Sequence, residues 1–404
     1  MATSTQEIKN MRLISHHDLN GYGNLGEGVA LHQTRDGRRI FYMAHVAAPK
    51  DITSVDVTDI KNPKLIAQTD LEYPHLRSNS LSIQGDTMLI AYQSTEPNQP
   101  GTGVGVYDIS NAEEPRRIGF WDGQGANSRG CHCLWWADGE YAHLSTGTPD
   151  SRPTNPKDDQ FYVILDVKDP TKPTEAGRWW FPGTQEGDDA PPPPRHPQFD
   201  AGHSLHNANV YPQRPDRAYC AWKDAGVVTL DISNKSQIKM LANLNYAPPF
   251  PGFTHTVLPL FSRDMLVVTQ EAVRPKGEDY PKLVWLIDNR LESNPVIIST
   301  LPMCDTNDFF NRPGRYGAHN LYENLPGPLS SIDENLIYGT FFNAGIRVFD
   351  TSNPYQPEEV AYFIPEIPAG AEANGINDVH VDENGIMYVV DRIKGGLYIL
   401  ELTI

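Results

Sequence analysis

The sequence predicts an all-β fold, a seven-bladed β-propeller, on three observations: a recurring aspartate-bearing segment, turn-forming residues spread along the whole chain, and two chain ends that complement each other. The recurring segments are SVDVTDIKNPKLIAQ, VYDISNAEEPRRIGFW, ILDVKDPTKPTEAGRW, TLDISNKSQIKMLANL, LIDNRLESNPVIIST and VFDTSNPYQPEEVAYF. Each reads as an apolar residue, an aspartate, a short turn of Ser, Asn or Pro, and a second run of alternating apolar residues. Their aspartates are Asp56, Asp108, Asp166, Asp231, Asp288 and Asp350, with successive spacings of 52, 58, 65, 57 and 62 residues, the length of four short strands with their loops. The 32 glycines and 34 prolines imply many turns and therefore many short elements.

Each unit carries an earlier pair of strands. In the first unit these are GVALHQT and RIFYMAH around Asp36-Gly37, in the third CHCLWW and YAHLST around Asp138-Gly139, and in the seventh DVHVDE and IMYVVD around Asn384-Gly385. Asp-Gly and Asn-Gly suit tight hairpins because glycine adopts positive φ at little cost. A unit thus reads as four strands, a to d. The seventh unit stops after its c strand, GGLYILELTI, while NMRLISHHDL near the N-terminus matches the d strands of other units, such as NPKLIAQTDL. Residues 11–20 are therefore expected to complete the blade formed by 375–404, giving one circularly closed domain over 1–404 without open sheet edges.

The c-strand cores VYDIS, VILDV and VTLDIS make these units resemble the LVIVD repeat family of propellers. The resemblance covers nearly the whole chain, with the fifth unit departing at LVWLIDNRLESNP. It implies the fold more than an activity, since the family is functionally diverse and the repeat carries no catalytic signature.

A net charge of -18 argues against nucleic acid or an anionic membrane as partner, because both would be repelled. MATSTQEIKNMRL lacks the basic start and apolar run of a secretory signal, and no stretch approaches the roughly eighteen apolar residues of a membrane span, so a soluble, cytoplasmic protein is expected. Cys131, Cys133, Cys220 and Cys304 are too few for a disulfide scaffold and show no CxxC spacing. No phosphate-cradling glycine loop, GxSxG elbow, HExxH or dinucleotide fingerprint stands in a suitable context, which disfavours a nucleotide cofactor and serine hydrolysis.

Loop length locates function. In an up-and-down blade the d-to-a and b-to-c connections share one face of the disc. That face carries STEPNQPGTG, STGTPDSRPTNPKDDQ, EAVRPKGEDYPK, PGTQEGDDAPPPPRHPQFDAG and MCDTNDFFNRPGRYG, whereas the c-to-d turns are short and uniform. Long dissimilar loops on a rigid scaffold are where binding and chemistry usually sit. The a strands start at the same face beside the central channel. Aligning the units puts Ala30, Asn79, His132, His206, His255, His319 and Asp378 at their starts, so four successive blades each offer a histidine.

Convergent imidazoles suit a divalent metal such as Zn, Fe or Mn. The candidate ligands are His132, His206, His255 and His319, with Asp378 or His380 as a further one. Candidate catalytic groups are Glu271, Asp391 and Lys223 at the ends of b strands, and His203, three residues before His206. The layout is similar to that of carotenoid-cleaving oxygenases, seven-bladed propellers that hold iron with four histidines, although their sequence motifs are absent. Phe309 and Phe310 are candidates to line a pocket for an apolar or aromatic substrate. The leading expectation is an enzyme of hydrolase or lyase type acting on a small organic molecule at the channel mouth, through a histidine-bound metal or through the imidazoles as acid and base. The alternatives are a non-haem iron oxygenase, a metal-free lyase or cyclase, and a non-catalytic protein-binding propeller.

Overall fold

The computed structural model describes residues 6–304 and 306–404. Among them the strands form seven sheets of four strands each. The first five blades follow chain order from inside to outside: Leu25–Gln33, Arg39–His45, Lys50–Asp56 and Lys64–Asp70 make the first, and the next four open on Leu76–Gln84, Cys131–Trp135, Asn207–Tyr211 and Thr254–Leu260. Inner strands of neighbouring blades lie against one another in sequence. The ring returns on itself where Ile376–Val381 of the last blade contacts Leu25–Gln33 of the first.

The repeat aspartate has one structural task in all six units. It ends the c strand, and its carboxylate accepts the backbone N–H two residues on: Thr58 to Asp56 at 2.9 Å, Ser110 to Asp108 at 3.0 Å, Lys168 to Asp166 at 3.0 Å, Ser233 to Asp231 at 2.9 Å, Arg290 to Asp288 at 3.0 Å and Ser352 to Asp350 at 2.7 Å. Such an Asx turn starts the tight c-to-d connection, which explains why this residue recurs beside a Ser, Asn or Pro turn. In the a-to-b hairpins Gly37, Gly139 and Gly385 adopt φ of 87°, 78° and 78°, the left-handed region the sequence reading requires of them.

The chain ends close the ring. Met11–His17 pairs antiparallel with Gly396–Leu402, from Met11 opposite Leu402 to His17 opposite Leu397, and supplies the outer strand of the seventh blade. A second short strand, Glu7–Lys9, lies on the outer edge of the sixth blade, opposite Tyr362 to Ile364. That blade is otherwise unlike the rest. Its regular strands are Leu336–Thr340, Ile346–Asp350 and Glu358–Ile364, and the innermost position is held by a bridge between Leu321 and Gly339 and by backbone bonds of His319, Asn320 and Tyr322 to Thr340 and Tyr338. The N-terminal segment thus spans the seam between two blades.

Aromatic and aliphatic side chains fill the spaces between sheets, with Trp222, Tyr42, Tyr162, Tyr388, Phe41 and Phe161 among the largest fully buried. Phe309, expected to line a pocket, is instead buried in this core and stacks on Tyr316 with ring centroids 5.3 Å apart; Phe310 packs edge-on against the same tyrosine at 5.4 Å. The four cysteines are free thiols, and burial pushes Cys131, Cys133 and Cys220 up, so they are inert at neutral pH. No helix among the described residues is long and apolar enough to cross a membrane.

Candidate functional site

A recurring irregularity builds the site. At the start of several inner strands the ladder skips a residue: between Arg77 and Ser80, Cys131 and Cys133, Thr254 and Thr256, and Ile376 and Asp378. An extra residue in one strand of an antiparallel pair bends it and re-aims a side chain. Here the displaced positions hold Asn79, His132, His255 and Asn377. In the first blade a longer irregularity runs from Leu25 to Val29 and contains Glu27. His206 and His319 stand just ahead of regular pairing, held by backbone bonds to the carbonyls of Ala221 and Thr340 at 2.8 and 2.9 Å.

The four imidazoles converge on one carboxylate. Nε2 of His132, His206 and His255 lies 3.8, 3.7 and 3.7 Å from Glu27 Oε2, and Nε2 of His319 lies 3.5 Å from Glu27 Oε1. His132 and His206 approach Nε2 to Nε2 at 2.9 Å. Glu271 is 3.7 Å from His319 Nε2 and accepts a hydrogen bond from Arg315 Nη1 at 2.9 Å. Asn79 donates to the Glu27 carboxylate at 3.3 Å and to the His132 carbonyl at 3.2 Å, tying the second blade to the third.

The outer nitrogens are anchored. Nδ1 of His206 meets Asn207 Oδ1 at 2.6 Å, that of His255 meets Thr256 Oγ1 at 2.9 Å, and that of His319 meets the Asn377 carbonyl oxygen at 2.7 Å. His132 Nδ1 lies 3.0 Å from Gln93 Oε1 and 3.1 Å from Arg77 Nη2. An amide or carbonyl oxygen can only accept, so Nδ1 carries the proton in His206 and His319, and in a neutral ring Nε2 keeps its lone pair, turned inward. Nε2 of His255 and of His319 are buried without a hydrogen-bond partner.

Burial and the neighbouring imidazoles hold His132 and His255 well below the ordinary imidazole range, and burial likewise lowers His206, so these rings are neutral. Burial alone would raise the Glu27 carboxyl, but the surrounding His319, His206 and His132 hold it well below the usual carboxylate range. The centre is thus one carboxylate, held anionic, with the inner nitrogens of four imidazoles turned toward it. Two sets of residues place ligand atoms within 4.8 Å of one another: Glu27 with His206 and His255, and His255 with Glu271 and His319. Atoms bound to one ion at about 2.1 Å lie about 3–3.5 Å apart, and the distances from the Glu27 oxygens to the four Nε2 atoms, 3.5–3.8 Å, are within a few tenths of an ångström of that range.

The other sequence-predicted residues divide. Lys223 reaches the mouth of the centre; its side chain is buried at 8% exposure, and its ammonium lies 5.3 Å from the centroid of Phe253, whose ring is 5.8 Å from that of His206. Asp391, expected as a base, is spent on backbone: Oδ2 accepts from Gly375 N at 2.6 Å and Oδ1 from Ile393, Lys394 and Gly395. His203 stands outside the cluster, with Nδ1 3.2 Å from Arg195 Nη1 and its carbonyl accepting Trp222 Nε1 at 2.6 Å. His380, expected as a ligand, donates Nε2–H to the Leu329 carbonyl at 2.9 Å and packs between Phe41 and Tyr322.

Asp378, the other expected ligand, lies one residue past the bulge and faces a small cavity on the far side of the centre, of about 60 Å³, together with Glu323 and Cys133. Burial raises Asp378 well above the carboxylate range and pushes Glu323 up to about 7, although Asn209 and Asn207 donate to Glu323 at 2.7 and 3.1 Å. The bulged position of the seventh blade holds Asn377, and the side chain that the first blade turns to the imidazoles is Glu27 instead of Ala30. Counting with period two across an unseen bulge displaces both assignments. A signal for Glu27 did exist, an acid between two glycines at a strand start. A Cβ on Gly26 would come within 2.5 Å of Asn79 O and one on Gly28 within 2.2 Å of Leu81 N, so only glycine lets this strand lie so close to the second blade.

Comparison with known proteins bears on the fold. The family model of the LVIVD repeat matches residues 216–245, which run from the second to the fourth strand of the fourth blade. No curated protein matches the chain. Among solved structures, the β-propeller domain of Cps50 (Swd1) from Myceliophteria thermophila is similar, with a TM-score of 0.56 at 11% identity over 99% of this chain and 100% of that one. At that identity the likeness shows the fold alone. The chain is a seven-bladed β-propeller with an LVIVD repeat in its fourth blade.

Proposed function

We propose that the chain is a metal-dependent enzyme in which His132, His206, His255, His319 and Glu27 hold one divalent transition metal at the mouth of the central channel. The observation that carries this reading is the pair of inward Nε2 atoms on His255 and His319, buried and without a hydrogen-bond partner. Leaving a buried acceptor unsatisfied costs about 1–3 kcal/mol, and a cation would satisfy both at once. Outer nitrogens fixed by oxygen acceptors are the usual support of metal-bound imidazoles. A nitrogen-rich set with one carboxylate suits Zn, Fe or Mn.

Such an ion would polarise a carbonyl or lower the pKa of a bound water, supporting hydrolysis or elimination on a small organic molecule. Glu271, held by Arg315 and 3.7 Å from His319, is placed to move a proton beside it. One observation favours a second reading, a metal-free lyase. The His132–His206 contact of 2.9 Å is short enough to share a proton, so the imidazoles would act directly as acid and base.

Elemental analysis separates the two. One equivalent of metal in the purified protein, lost in both His206→Ala and His255→Ala, supports the first reading. A metal-free wild type with activity that depends on His132 and His206 supports the second.

A further inference from the structure

The loops above the imidazole ring bring cations together at the channel mouth. Arg77 comes from the start of the second blade, Arg129 and Arg315 from the segments entering the third and sixth, and Lys223 and Arg392 from the turns after the second strands of the fourth and seventh. Three carboxylates stand among these five cations. Asp159 takes Arg129 in a two-pronged pair at 2.6 and 3.0 Å, Glu271 takes Arg315 at 2.9 Å, and Glu27 faces the imidazoles. Arg77 bonds Gln93 and His132, both uncharged partners.

Lys223 and Arg392 are left over. Among the described residues the Lys223 ammonium has neither an ion pair nor a hydrogen bond, yet its side chain is only 8% exposed; its nearest support is the face of Phe253. Arg392 Nη1 is buried without a partner, and the guanidinium rests 5.9 Å from the Phe342 ring, which is itself 4.6 Å from the ring of His319. Burying an unpaired charge is costly, and the buried Lys223, together with the half-buried Arg392 whose Nη1 has no hydrogen-bond partner, is suited to completion by the opposite charge. Phe253 and Phe342 form two apolar walls between the cations and the imidazoles. A cleft of about 370 Å³, lined by Thr95, Asn127, Arg129, Asp159, Ala201 and Lys223, leads in from the loop face.

We propose that this mouth is a carboxylate-binding vestibule: a small organic acid enters with its carboxylate held between Lys223 and Arg392 and its body against Phe253 and Phe342. Through this the proposed enzyme's substrate class becomes an organic anion, which the chain's overall negative charge would otherwise repel. The local excess of cations offsets that repulsion at the one place where the substrate must enter. The inference rests on the reading of the centre only for what happens to the body of the ligand, because the anion site itself is made of different residues.

The test uses full-length protein stripped with chelator, so that the outcome does not depend on a metal. Acetate, benzoate and succinate are titrated by calorimetry against acetamide, benzamide and succinamide, which match them in shape without the charge. At least one acid is expected to bind ten-fold or more tightly than its amide. Lys223→Met and Arg392→Met are each expected to remove most of that difference, and metal uptake by both variants should persist. Acids and amides that bind wild type alike overturn the proposal with no variant needed, as does an unchanged acid preference in both variants. Loss of metal from His206→Ala with acid preference intact separates the vestibule from the centre.

Discussion

Across the seam between the sixth and seventh blades, His319 donates its Nδ1 proton to the Asn377 carbonyl oxygen at 2.7 Å. Because Asn377 stands in the bulge of the last inner strand, the same irregularity that turns side chains inward elsewhere here presents a carbonyl. Asn320 Nδ2 and Thr340 Oγ1 donate to that oxygen too, at 3.1 and 2.9 Å, so it is fixed from three sides and His319 Nε2 has no alternative orientation. His319→Gln is therefore expected to weaken metal binding by ten-fold or more in a chelator-competition assay.

Glu27→Gln removes the only carboxylate among the described residues that lies within 4 Å of all four imidazoles. Metal affinity is expected to fall at least ten-fold, with the rise in Tm on adding metal to the stripped protein shrinking in step, since a ligand stabilises by an amount set by its concentration over Kd. An unaltered affinity in this variant would remove Glu27 from the ligand set.

Gly28→Ala tests the placement of Glu27 without touching its chemistry. The new Cβ would sit 2.2 Å from Leu81 N, so the first inner strand must move away from the second. Overpacking of this kind costs about 1–3 kcal/mol. Urea denaturation should report that loss, and metal affinity should fall with it. A variant that keeps both would show that the two strands separate freely.

The stability of the fold should fall on acidification through its buried histidines. Burial lowers the fully buried His143 from 6.5 to about 4, with Nδ1 2.6 Å from Tyr162 Oη. The unfolded chain takes up the proton first. The His143 contribution is thus complete above pH 6.5, falls as pH drops below 6.5, and levels off near pH 4, at about 1.4 kcal/mol per pH unit between. In His143→Gln the slope of unfolding free energy against pH, read from urea melts over this window, should be shallower by that amount.

The repeat aspartate is a test of the blade itself. Asp231→Ala removes the acceptor for Ser233 N at 2.9 Å in a turn remote from the centre. A loss of about 1 kcal/mol in urea denaturation is expected, with metal content unchanged.

The fold was legible because it is written in local signals repeated along the chain: an aspartate that starts each c-to-d turn, glycines that make hairpins, and an N-terminal segment patterned like the outer strands. The convergence of His132, His206, His255 and His319 could be read for the same reason, since each stands at the start of an inner strand. Glu27 was hidden by a bulge, which breaks the alternation on which strand reading depends, and Asp378 was chosen over Asn377 through the same one-residue slip. Asp391 and His203 illustrate a different limit. A polar residue at the right end of a strand can serve the turn beside it as readily as the channel, and only the backbone N–H groups around Asp391 decide which. The unpaired state of Arg392 had no sequence signal, because it reflects where the neighbouring carboxylates are not.

Met11–His17, the strand that latches the seventh blade, leaves a ribosome long before its partner Gly396–Leu402 does. Glu27 and His319, nearly as far apart along the chain, meet only when that circle is complete. During synthesis this strand therefore waits for its partner through the emergence of the intervening blades, and the centre is complete only after His319 has followed Glu27. An ion gripped by both sides of the ring would act as a clasp, so that assembly and activation become a single event.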